Sequence, residues 1–388
     1  MNSRERVNAA VAHRAPDRLP VDFLATPEIW RRLEAHFGLA PAALSDDQYF
    51  DPVREDILRR LEIDCRVLSY DQFCAPPLDK LPYSGRVEWW DVGSRSTPSR
   101  MWRLRTGEGT ARDVFGRIFK TQNTGTAVYE ESVPVLREAE SVADLEKHPW
   151  PAASWFDFSR LREEAEKLHA GGQKHLRYRI GSVFELAWQL RGMDQFMMDL
   201  ALDPDIPAFI MGRIAEVLAE TADRALAAAG DAVDMVYFYD DVASNAGMMI
   251  SAEMWEEFIR PHHQRLIDVA RKRGKQVMYH SDGAMREIVE PLIEMGIDVL
   301  NPIQPNTAGM DPASLKRDYG ARLAFHGGVD IVDLLPKSGA DDVREAIRTL
   351  SGILGRDGGY VMASAHHIQP DTPLANVLAM YEFGLRWH

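Results

Sequence analysis

Only two cysteines, Cys65 and Cys74, occur among the 388 residues, with eight residues between them. That is neither a C-x-x-C metal pair nor a disulfide framework, so reduced thiols and a cytoplasmic location are expected. Basic residues are in deficit too: 45 Lys and Arg face 59 Asp and Glu, a formal net charge of −14. Wrapping nucleic acid or lying on an anionic membrane needs basic patches, so neither partner is expected. The longest apolar stretches, such as that around Val233–Tyr239, fall far short of the roughly 20 residues of a membrane span. The opening MNSRERVNAAVAHRAPDRLPV has no apolar run, which argues against a secretory signal. A P-loop, a Gly-rich dinucleotide fingerprint and a G-x-S-x-G elbow are all missing, and with them the usual signs of nucleotide binding and serine hydrolysis.

What the chain does have is 45% hydrophobic residues and a rhythm. Short β-rich runs are visible at Leu19–Leu24, Cys65–Ser69, Arg177–Gly181, Met235–Tyr239, Gln276–Tyr279, Val299–Pro302, Leu323–Phe325 and Tyr360–Ala363. Segments of 3.6-residue periodicity lie between the later ones: Ala252–Arg271, Met285–Met295, Pro312–Tyr319 and Ala340–Leu354, with Leu374–Leu385 after the last. Ser251, and Asp311 before Pro312, sit where N-caps belong, while Gly274, Gly296 and Gly320 follow helical runs as stops with positive φ. Strand and helix alternating in this way predict βαβ units and an α/β fold, a closed (β/α)₈ TIM barrel in one domain over 1–388. Such a barrel takes about 250 residues. The surplus falls to an N-terminal extension and to residues 75–150, rich in Pro, Gly, Arg and Trp, where Met101–Leu104 and Arg117–Gln122 read as strands of an irregular hairpin. Because this insertion follows a barrel strand, it is expected over the barrel mouth as a lid. A solubilising elaboration is the competing account.

Active sites of such barrels occupy the carboxyl ends of the strands. There the sequence gathers Tyr70, Glu185, Asp240 and Asp241, His280 and Asp282, Asn301 and Gln304, His326 and Asp330, and His366 and His367. A structural loop needs Gly, Pro, Asn and Ser rather than four histidines and several carboxylates, so this rim points to an enzyme with a small-molecule substrate. His280 and Asp282 are two apart on an extended segment and share a face. Imidazole and carboxylate suit zinc or a similar divalent ion, with a third ligand from His366 or His367 if the strand order is sequential. Without metal, the same two residues bind each other or a substrate carboxylate. Asp240 and Asp241 are candidate acid/base groups, or else one caps a helix and the other is solvated. His262 and His263 read as ordinary helix residues.

Several motifs in order resemble the uroporphyrinogen decarboxylase superfamily. They begin with Arg4-Glu5-Arg6-Val7 through Pro16-Asp17-Arg18-Leu19-Pro20-Val21, then Leu190-Arg191-Gly192 with Asp203-Pro204, and Asp240-Asp241 with Ile250-Ser251 through Pro261. They continue as His280-Ser281-Asp282-Gly283, Asn301-Pro302-Ile303-Gln304-Pro305, Gly309-Met310-Asp311-Pro312 and Gly327-Gly328-Val329-Asp330, and end at Ala365-His366-His367-Ile368-Gln369-Pro370. The resemblance implies either cofactor-free tetrapyrrole decarboxylation or zinc-dependent methyl transfer between a corrinoid protein and a thiol, with a homodimer plausible. The Arg-rich amino-terminal signature of the decarboxylases is replaced here by Asp22-Phe23-Leu24-Ala25-Thr26-Pro27. The methyltransferase branch is therefore the closer one, with His280, Asp282 and His366 in the places of its zinc ligands and Asp240 or Asp241 as acid/base. Tyr70, Glu185, Asn301, Gln304, His326, Asp330 and His367 would then shape the substrate pocket. The expected activity is metal-assisted methyl transfer from a small methyl donor or a methylated corrinoid supplied by a partner protein; the alternative is metal-free decarboxylation of a tetrapyrrole or another carboxylated substrate.

Overall fold

A computed structural model describes residues 1–41, 50–90, 98–123, 128–170 and 172–386. Its centre is a sheet of seven parallel strands: β1 (Cys65–Leu68), β7 (His175–Arg179), β8 (Met235–Tyr239), β9 (Gln276–His280), β10 (Val299–Ile303), β11 (Ala324–Val329) and β12 (Tyr360–Ser364), neighbours in that order. The segment 20–26 closes the ring as an eighth stave. On one side the Met362 and Asp22 amides bond across to Pro20 and Met362 carbonyls, each at 2.9 Å, and on the other the Asp64 amide donates to Val21 at 3.0 Å. The fully buried Asp64 carboxylate ties this seam together, accepting from the Val21 amide, Arg6 and Arg18.

The expected βαβ rhythm holds from residue 235 onward. Helices Pro312–Tyr319 and Ala340–Leu354 match their periodic segments, while the run Ala252–Arg271 is broken by a π-helical turn at Trp255–Ile259. Ser251 and Asp311 do cap, accepting from the Met254 and Ser314 amides. Gly274 and Gly296 stop their helices at φ +65° and +103°, whereas Gly320 stays right-handed at −65°.

The insertion is more regular than the expected hairpin. It forms a five-stranded antiparallel sheet of β2 (Arg86–Trp90), β3 (Met101–Gly107), β4 (Thr110–Arg112), β5 (Ile118–Asn123) and β6 (Val128–Val133). Residues 91–97 and 124–127, part of the segment expected as a lid, lie outside the described residues. Met101, Trp102 and Phe115 of this sheet and its loops meet Tyr70, Arg179 and Tyr239 at the carboxyl ends of β1, β7 and β8, so the insertion lies over the barrel mouth.

Along β7, Leu176 and Tyr178 are buried in the outer core under the helices, so His175, Arg177 and Arg179 share the inner face. The lower interior is apolar: Met235, Tyr237, Met278, Val299 and Val361 pack on Val7 and Val11 of the amino-terminal helix Ser3–Val11. Among the described residues no helix is long and apolar enough to cross a membrane.

Two histidines make this fold acid-sensitive, one fully buried on β7 and one half-buried on the helix after β8. Burial pushes His175 down to about 4. Burial, with the neighbouring His263, does the same to His262, also to about 4. Both are therefore neutral in the folded state at about pH 6. The unfolded chain takes up these protons first, so stability is full above about pH 6.5 and falls as pH drops from there towards 4. For the fully buried His175 the loss amounts to roughly 3 kcal/mol. Thermal unfolding followed across this window should show the midpoint falling with pH, and His175→Met should flatten the slope. An unchanged slope in that variant would contradict the assignment.

Candidate metal centre

Above the apolar floor, the barrel interior is crossed by one chain of hydrogen bonds. Arg177 Nη1 donates to Asp22 Oδ2 at 2.5 Å, and its Nη2 reaches Cys65 Sγ at 2.8 Å. His326 Nε2 lies 2.8 Å from the same Asp22 oxygen, Asn301 Nδ2 lies 2.5 Å from His326 Nδ1, and His280 Nδ1 lies 2.6 Å from Asn301 Oδ1. A carboxylate only accepts, which places the proton of His326 on Nε2 and leaves Nδ1 to accept from the Asn301 amide. The Asn301 oxygen then accepts from His280 Nδ1–H. Burial holds His326 below its ordinary pKa against the pull of Asp22, consistent with a neutral ring in this chain. Neutral His280 in this tautomer carries its lone pair on Nε2.

That nitrogen faces two carboxylates. Asp241 Oδ1 and Asp282 Oδ1 each lie 3.8 Å from His280 Nε2, and one donor atom from each of the three residues falls within 4.8 Å of the other two. Donors about 2.0–2.1 Å from a tetrahedral ion are roughly 3.3 Å apart, so each His280–carboxylate distance is about half an ångström longer than coordination requires. Both carboxylates are held in place. The Asp282 amide donates to Asp241 Oδ1 at 2.8 Å, the Asp241 amide to Glu185 Oε1 at 3.0 Å, and Gln304 Nε2 to Asp282 Oδ1 at 2.9 Å. Gln304 also accepts from the Gly283 amide at 2.7 Å. Gly283 has φ +90°, and a Cβ there would meet Ser244 O at 2.6 Å, so glycine is what lets the Asp282 loop lie against its neighbour. The His280 side chain is 8% exposed, Asp282 25% and Asp241 40%, which gives the group a protein side and a solvent side.

A family model described as Uroporphyrinogen decarboxylase (URO-D) matches residues 125–387. The chain belongs to the uroporphyrinogen decarboxylase family. Over 174 residues it is 28% identical to the uroporphyrinogen decarboxylase of Thermus thermophilus, covering 44% of this chain and 47% of the relative. Over 128 residues it is 29% identical to that of Anaeromyxobacter sp., covering 33% and 34%. The match thus spans less than half the length of these curated relatives. Among solved structures, a methyltransferase from Methanosarcina mazei shares the fold over 99% of this chain and 98% of its own, with a TM-score of 0.60 and 16% identity.

Within this family fold, the expected site residues separate into groups. The tight group of three contains Asp241, an acid/base candidate by sequence, in place of His366. His366 Nε2 is 3.4 Å from the other oxygen of Asp282, and its ring stands edge-on to His367 at 4.4 Å. Glu185 and Gln304 orient the carboxylates, whereas Asn301 and His326 lie beneath the site at 3% and 1% exposure. Asp330 lies apart from the three: its carboxylate accepts the Val332, Asp333 and Leu334 amides and caps a turn. Tyr70 lies under the inserted sheet, its ring 4.8 Å from Phe156.

Asp240 also lies apart from the three. It is fully buried outside the barrel wall, accepting from the Val183 and Glu185 amides at 2.9 Å and pairing with His263 Nε2 at 2.7 Å. Both oxygens of this carboxylate are engaged by protein donors, and His263 is its partner rather than an ordinary helix residue. Asp22 and Arg177 escape the sequence reading. The signal for Arg177 is His-x-Arg-x-Arg along a strand whose outer face is covered by helices, which leaves only the interior for the charges. Asp240→Ala should lower the unfolding free energy by about 3 kcal/mol or more, since two amides and a histidine lose their acceptor. Asp241→Ala, at a more exposed position, should cost about 1 kcal/mol or less. Denaturant unfolding of both variants tests the distinction, and equal losses would contradict it.

Proposed function

We propose that the protein is a metal-assisted methyltransferase-like enzyme acting on a small methyl donor or on a methylated corrinoid carried by a partner protein. The observation that carries this reading is the convergence of Asp241, His280 and Asp282 at the ends of β8 and β9, with His280 oriented from below by a carboxamide. Imidazole and carboxylate donors suit a zinc-like or harder divalent ion, and the oriented imidazole is the arrangement that metal-binding histidines generally have. Such an ion, when bound, supplies a positive centre that lowers the pKa of a coordinated acceptor or polarises an oxygen. The remaining work falls to side chains. Gln304 and Glu185 hold the carboxylates, and His366, beside Asp282, is placed to take the proton that an acceptor loses. In the transfer, the acceptor's electron pair forms the new bond to the methyl carbon as the carbon–donor bond breaks with its pair going to the donor.

Metal-free decarboxylation is the competing reading, favoured by the names of the curated relatives. The absence of the Arg-rich amino-terminal signature weighs against the tetrapyrrole, and Asp22, at its position, is consumed by Arg177 and His326.

The test begins with zinc affinity, measured by competition with a chromophoric chelator. The parent should bind one equivalent, His280→Ala should bind none at the same concentration, and Asn301→Leu should bind about 10–100-fold more weakly. The parent should convert no appreciable uroporphyrinogen to coproporphyrinogen under anaerobic conditions. A parent that stays metal-free and fully active, or turns over uroporphyrinogen at ordinary enzymatic rates, would overturn the reading.

A further inference from the structure

A second group of polar side chains lies beside the metal centre, in the narrow cavity between the inserted sheet and the ends of β1, β7 and β8. Its anchor is Arg179, 9% exposed. Only Nη2 of this guanidinium is engaged, with Asp71 at 2.7 and 2.8 Å, Ser69 at 3.1 Å and the Met101 sulfur at 3.2 Å. Among the described residues, Nε and Nη1 have no partner, and neither is sealed from solvent, so both keep donors for something in the cavity. The hydroxyls of Tyr70 and Ser182 line the same space and likewise have no partner among the described residues. The indole Nε1 of Trp102, another lining residue, is a buried donor without an acceptor.

Unused donors thus outnumber unused acceptors here, and the charge balance agrees. Arg103, Arg117 and Arg179 line the cavity against Asp71 and Asp113, an excess of one positive charge in a chain whose net charge is −14. Asp71 is taken by Arg179 and Asp113 by Arg117, at 2.8 Å. The lining also includes the aromatic rings of Tyr70, Trp102, Phe115 and Tyr239. Tyr239 also stands edge-on to His280, ring centres 6.4 Å apart, so it separates this cavity from the metal centre by one side chain.

We propose that this cavity holds the carboxylate of a small, flat, apolar-bodied substrate, anchored by Arg179 with Tyr70 and Ser182. A charged donor array that neutral ligands leave unmet discriminates strongly for an anion, while the aromatic wall favours a planar body. The opposite end of such a molecule points past Tyr239 towards Asp241, His280 and Asp282. As a substrate subsite this rests on the metal-centre reading; the binding itself does not, so its test uses protein stripped of metal with EDTA.

Benzoate serves as the probe, benzamide as its neutral counterpart and inorganic phosphate as the competing anion, each titrated calorimetrically into the full chain. Benzoate should bind saturably, benzamide and phosphate at least about tenfold more weakly. Arg179→Gln should weaken benzoate about tenfold or more, and Tyr70→Phe and Ser182→Ala about threefold or more each. Equal binding of benzoate and benzamide, preference for phosphate, or benzoate affinity unchanged in Arg179→Gln would overturn the proposal. If Arg179→Gln does not fold, unchanged affinity in both Tyr70→Phe and Ser182→Ala overturns it. Loss of the metal reading alone would leave all of these values as they are.

Discussion

The buried pairing of Asp22 with Arg177 is the constraint on which the upper half of the barrel depends. Two charges at 2% exposure cannot be left unmatched, because an isolated ion in a low-dielectric interior costs several kcal/mol. Their pairing fixes the position of the Asp22 oxygen, and that oxygen dictates where His326 carries its proton. His326 then dictates the orientation of the Asn301 amide, and Asn301 the tautomer of His280. One salt bridge therefore determines which nitrogen of a histidine faces the mouth. Replacing such a network with apolar side chains is often neutral for stability, so stability alone does not account for this one. Orientation of His280 does.

The same network shows why part of the site is legible in the sequence and part is not. His280, Asp282 and Gln304 follow strands, and the rule that barrel chemistry gathers at strand ends is enough to find them. Asp240 and Asp241 look equivalent in sequence, yet backbone direction sends their side chains to opposite sides of the wall. Asp240 goes out to His263 and two amides, while Asp241 goes in to the mouth. Adjacent residues leaving a strand face opposite ways, but which of the two faces inward depends on the exact strand end, and strand ends are not resolved by periodicity. The shifted strand β7 has the same origin. Its pattern points to Arg177–Gly181 and the strand is His175–Arg179, so the inward charges become visible only with the register.

Loop chemistry misleads in a different way. Asp330 follows a strand just as Asp282 does, but the turn after β11 presents three amides to its carboxylate before any ligand could. Asp282 instead lies on a loop that a glycine presses flat against its neighbour, with its carboxylate bound by a glutamine side chain. A cap and a candidate ligand are the same residue type after the same kind of strand; only the local supply of donors separates them. The inserted sheet reads as an irregular hairpin because its strands alternate weakly, and its closing contacts with the barrel are made by side chains far away in sequence.

The proposed metal would be held by nitrogen and oxygen, from His280, Asp241 and Asp282, with neither Cys65 nor Cys74 among the donors. X-ray absorption spectroscopy of the zinc-loaded protein measures that directly. The predicted result is a single light-atom shell at about 2.0–2.2 Å, with imidazole scattering that disappears in His280→Ala. A sulfur shell at about 2.3 Å, or a light-atom shell unchanged in His280→Ala, would contradict it.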